Sequence, residues 1–62
     1  MNLMQINVGD LVSVSYGKYT FITKGEVIQL PVFDNDLWVI KDLVTQEFVQ
    51  PSNVRAVVVK LI

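Results

Sequence analysis

The sequence predicts an all-β protein built as a small five-stranded barrel, on three observations. β-Branched residues run from end to end, with Val throughout and Ile and Thr beside it, and such side chains favour extended backbone. No window carries an apolar stripe at helical spacing over a helical length. Turn signals separate short apolar runs at even intervals, the cadence of a small sandwich or barrel.

Each strand has its own justification. Gly9-Asp10 signals a turn, and Leu11 to Tyr16 then alternates, with Val12, Val14 and Tyr16 on one face and Leu11, Ser13 and Ser15 on the other. Ser15 to Lys24 reads as a polar tip carrying Gly17, Lys18, Thr23 and Lys24, interrupted by Tyr19, Phe21 and Ile22. The second strand is expected over Gly25 to Leu30, closed by Pro31, which has no N–H for a central ladder. Asp34-Asn35-Asp36 forms a turn cluster, since Asn and Asp side chains bond to nearby backbone. Leu37 to Asp42 is the third strand, Gln46 to Val49 the fourth, and Val54 to Leu61 the fifth, with Pro51-Ser52-Asn53 between the last two.

The 62 residues allow one domain, 1–62, with 1–8 as an N-terminal arm that is either flexible or docked through Leu3, Met4, Ile6 and Val8. A core this small is marginal. The chain compensates with 52% hydrophobic and only 18% charged residues, against about 45–50% and about 25% in an average domain. Apolar surface left over after folding would call for a partner or self-association.

The same composition removes whole classes of chemistry. There is no Cys and no His, so disulfides, the commonest zinc ligands, a thiol nucleophile and the usual acid–base group are absent. Ser13, Ser15 and Ser52 have no His to activate them. The expectation is a protein that is not an enzyme, with no catalytic residue, cofactor or metal. The Asp34-Asn35-Asp36 loop, with Asp42 nearby, lacks the Gly and terminal Glu of a calcium loop and is read as a turn. A net charge of −1 gives little electrostatic grip on a phosphate backbone. The N-terminus lacks a signal-peptide pattern, and no apolar run approaches the ~20 residues that span a bilayer. A cytoplasmic, non-membrane protein is the expectation. The Met1 start and small size suggest a complete accessory gene product of a bacterium or phage.

Two stretches resemble known families. Gly9-Asp10-Leu11-Val12-Ser13-Val14, a tip, then Gly25-Glu26-Val27-Ile28 resembles the opening of Tudor-like and KOW-type small barrels. In those barrels the second Gly permits a tight turn and the Val residues fill the interior. Phe48 to Val54 resembles the end of Src-homology-3-like domains, where a Pro-Ser-Asn turn of 3₁₀ helix joins the last two strands. The resemblance implies a Src-homology-3-like barrel with a short 3₁₀ turn before the last strand. The Ala-Leu-Tyr-Asp-Tyr opening of peptide-binding Src-homology-3 domains is missing, so proline-rich ligands are not implied.

Two candidate surfaces remain. Tyr16, Tyr19 and Phe21, interleaved with Lys18 and Lys24, could stack bases or a peptide, as could Trp38; the competing reading packs the rings and leaves the lysines in water. The fifth strand is apolar on both faces, Val54, Ala56 and Val58 on one and Val57, Val59 and Leu61 on the other. The second set forms an interface unless the arm covers it. The function expected is a non-catalytic module binding a protein partner or a second copy. The alternative is a KOW- or Tudor-like nucleic-acid-binding protein using Lys18, Lys24, Lys41, Arg55 and Lys60.

Overall fold

The computed structural model describes residues 5–33 and 36–62. Five antiparallel strands form one sheet: β1 Leu11–Tyr16, β2 Tyr19–Gln29, β3 Val39–Asp42, β4 Phe48–Val49 and β5 Val57–Lys60. Their order is β4-β3-β2-β1-β5, so the last strand returns beside the first. No helix is present among the described residues, and so none long and apolar enough to cross a membrane.

The sheet is not closed into a barrel: β4 and β5 are its two edges. It is nevertheless curled. Val12, Val14, Ile22, Val27 and Ile40 are fully buried although the described residues form no second layer over them, so the sheet curls around its own core. The bend is built into β2. Its pairing with β1 slips between Val12 and Val14 and again between Val14 and Ser15, and its pairing with β3 slips at Val27/Gln29. Each slip inserts an extra β2 residue, and such bulges bend and twist the strand that carries them.

Residues 7–10 start the fold. Asp10 N–H donates to Asn7 O, Asn7 N–H donates to Asp10 Oδ2, and Gly9 takes φ 95°, the left-handed third position of a type II turn. Gly9 N–H then donates to Val27 O and Val27 N–H to Asp10 O, fixing the turn to β2. Ile6 packs against the core, so this part of the arm is docked; Leu3 and Met4 lie outside the described residues.

Several sequence-based boundaries need correction. The tip expected over Ser15 to Lys24 is only Gly17-Lys18, and β2 begins at Tyr19 rather than Gly25. Gly17 has φ 56° while Lys18 does not enter the left-handed region, the pattern of a II′ hairpin turn. β3 begins at Val39 because Trp38 N–H is spent on Pro51 O and Leu37 makes an isolated bridge with Ser52. β4 is cut to Phe48–Val49 because residues 43–46 are consumed by a loop in which Gln46 N–H returns to Asp42 O. β5 begins at Val57, since residues 53–55 form a turn closed by Ala56 N–H to Ser52 O. That bond spans four residues, so the segment is a single α-turn and the expected 3₁₀ turn is not seen. Of the acidic turn cluster, Asp34 and Asn35 lie outside the described residues. Asp36 does act as a turn residue, its Oδ2 accepting from Val32 and Phe33 N–H.

Candidate binding surfaces

The β1–β2 hairpin brings three of the candidate aromatics together. Tyr16 and Tyr19 are direct cross-strand partners beside the two-residue loop, and both are exposed. Phe21 is the extra residue where the register slips, since Ser15 opposes Thr20 while Val14 opposes Ile22. The bulge re-aims it: Phe21 packs on the edge of the core, and its ring stacks on Tyr16 with centroids 4.7 Å apart and planes at 16°. Lys18 sits on the loop next to this cluster. Lys24 does not: it lies further along β2, roughly 16 Å from Tyr19 at ~3.3 Å per residue. Its carbonyl accepts from Leu43 N–H at the far end of the sheet.

Trp38 belongs to the core. It is 8% exposed, its neighbours include the buried Ile40 cluster, and its Nε1–H donates to Asn53 Oδ1 at 3.0 Å. Burying the ring while pairing its one polar atom is the usual solution for an indole in a small core. The turn after Pro51 supplies that acceptor, so the chain's one Trp ties β3 to the β4–β5 connection.

The remaining cations are dispersed. Lys60 Nζ lies 3.4 Å from Asp10 Oδ2, and Lys41 Nζ lies 5.9 Å from the Phe48 ring centroid, with Glu26 as its cross-strand neighbour. Arg55 is in the turn before β5. These positions fall on different strands and loops.

β5 divides as the alternation predicts. Ala56 and Val58 pack on the core, whereas Val57, Val59 and Leu61 are 53%, 46% and 45% exposed. Val54 is outside the strand and exposed in the preceding turn. The neighbours of β5 on the outer face are small: Ser13 opposes Val59 and Ser15 opposes Val57. The result is an exposed apolar stripe along a sheet edge, with serines beside it on β1. The docked part of the arm does not hide it.

Among the described residues, no strand pairs with the other side of β5. Leu61 N–H donates to Leu11 O, which fixes the phase of the β1–β5 ladder. In an antiparallel pair bonded residues alternate with unbonded ones. Val57, Val59 and Leu61 therefore turn their backbone groups to β1, while Val58 and Lys60 turn theirs to the free edge. Sequence reasoning found the stripe from its two apolar faces. It missed the open groups, which depend on ladder phase and leave no trace in residue type.

No concave pocket and no group of three or more metal-ligating side chains is found among the described residues. The exposed features described above are the aromatic hairpin tip and the β5 edge. No family model, curated protein or solved structure matches this chain.

Proposed function

We propose that this chain is a small non-catalytic binding module that associates with protein through the β5 side of a partly open, Src-homology-3-like barrel. The observation that carries the reading is the exposed Val57-Val59-Leu61 stripe on a strand whose outward backbone groups are unpaired in the sheet. Apolar side chains and open donors and acceptors on one edge are what an added strand uses: the backbone gives affinity and the alternate side chains give selectivity. The strand order, in which β5 returns to β1, and the bulged β2 support the barrel reading. The absent Cys and His support a non-catalytic one, in a cytoplasmic setting.

A second reading rests on the hairpin tip. Tyr16, Tyr19 and Phe21 with Lys18 form a ring cluster of the kind that stacks unpaired bases. Against it stand the dispersed cations, two of which are engaged within the molecule.

The test is selection of extended peptides on the immobilised protein, with Val59→Lys as the counter-selected variant, alongside titration of a mixed-sequence oligonucleotide. Peptides that bind wild type, survive high salt and are lost in Val59→Lys are the expected result. Oligonucleotide binding that weakens steeply with salt and disappears in Tyr19→Ala, with no peptide enriched, overturns this reading in favour of the hairpin tip.

A further inference from the structure

The two sheet edges differ in how they are guarded. β4 is two residues long and is followed by Gln50-Pro51, and brevity and proline are standard protections of an edge. β5 has none of these protections. It has no proline and no bulge in its pairing with β1, and its one charge, Lys60, is neutralised by Asp10. Three apolar side chains line its outer face.

We propose, building on the β5 binding reading, that the partner is a second copy of this chain, paired antiparallel along β5 about a two-fold axis at Val59. The edge is complementary to itself in this register. Val58 of one copy opposes Lys60 of the other, and each such pair exchanges two hydrogen bonds. The N–H and C=O of Val58 and Lys60 are then all satisfied in both copies. On the outer face Val59 meets its own counterpart in a non-bonded pair, the arrangement that brings side chains closest, with Cα atoms about 4.5 Å apart. Val57 falls beside Leu61 of the other copy, so the two stripes merge into one. Charge does not oppose the contact: the chain carries only −1 in total, and each Lys60 already has its Asp10. An isologous contact of this kind closes as a dimer and leaves no free β5 edge for further growth. The joined sheet would run through ten strands, with the protected β4 at each end.

The test exploits the axis. Position 59 is about half exposed and opposes Ser13 within the chain, so Val59→Lys and Val59→Glu should both fold. Circular dichroism and urea midpoints check this. Across the two-fold, each variant alone places like charges face to face, whereas an equimolar mixture places Lys against Glu. Molecular mass by light scattering, over a wide range of concentration, is the readout. The expected result is twice the chain mass for wild type, single mass for each variant alone, and double mass again for the mixture. A folded wild type that stays at single mass overturns the proposal. So does a dimer that survives in Val59→Lys, because the contact is then elsewhere. If a monomeric wild type still captures peptides that Val59→Lys loses, self-pairing has failed and the wider binding reading has not.

Discussion

Gly25 shows how a residue can be read correctly as important and wrongly as to cause. Its place before Glu26-Val27-Ile28 suggests a turn, but it lies inside β2, and its φ is not in the left-handed region. The glycine is needed for space. A Cβ there would sit 2.6 Å from Ile40 Cγ2, 3.0 Å from Ile22 Cγ2 and 3.2 Å from the Lys41 carbonyl. Gly25 faces the core, and the two isoleucines close over it from β2 and β3. Gly25→Ala should therefore lower stability by about 1–3 kcal/mol, the usual cost of overpacking. The urea midpoint should fall while the slope of the transition stays unchanged. A variant as stable as wild type would mean that β3 can move away without loss. Both a core place and a binding role for Trp38 were legible in the sequence, and its burial corrects the binding role in favour of the core. Its partner Asn53 was not legible, because a hydrogen bond spanning 15 positions is invisible until the turn after Pro51 is placed.

The strands were legible where alternation and turn chemistry agreed, and blurred where they conflicted. β1 matches its expected bounds because Gly9 and Gly17 stop it on either side. The start of β2 was hidden because Thr23 and Lys24 are polar and exposed, although they occupy strand positions at a bulge on the solvent face. The β3–β4 hairpin shows the same conflict. Asp42 is buried and its Oδ1 accepts from Val44 N–H at 2.9 Å and, more weakly, Thr45 N–H at 3.4 Å. Its N–H pairs with Glu47 O and its carbonyl with Gln46 N–H, so a residue expected to end a strand also organises the next loop. The loop closes through Gln46 at φ 67°, a conformation costly for any side chain and worst for a β-branched one. Gln46 Nε2 offsets part of that cost by donating to Leu43 O. Gln46→Val should destabilise by about 1–3 kcal/mol. Gln46→Gly should stay within about 1 kcal/mol of wild type, because the relieved backbone and the lost side-chain bond oppose each other. Thermal and urea unfolding of the pair check the ordering; equal losses in both would place the contribution in the side chain alone.

Asp10 joins parts of the chain that are far apart in sequence, and it couples them to pH. Its carboxylate accepts from Asn7 N–H in the opening turn and faces Lys60 on β5 at 3.4 Å, while its own carbonyl accepts from Val27 on β2. The Asn7 hydrogen bond, helped by Lys60 and opposed by partial desolvation, holds the carboxyl below its ordinary value of 3.8. A folded-state value below the unfolded one means that the unfolded chain takes up the proton first. The stabilisation is thus complete above the ordinary value and is lost as pH falls through the folded one. Wild type should become easier to unfold in urea below about pH 4, and Asp10→Asn should lose less stability over the same interval. Near neutral pH the variant should be the weaker of the two, since it lacks the ion pair that fastens β5 beside the opening turn. The same proton uptake bears on assembly: protonating Asp10 frees the Lys60 charge on the strand proposed to pair, so two copies would bring uncompensated ammonium groups to one seam. Scattering mass should then fall in acid before the circular dichroism of the sheet changes. Loss of both together would place the pH effect in the fold of each copy rather than at the seam.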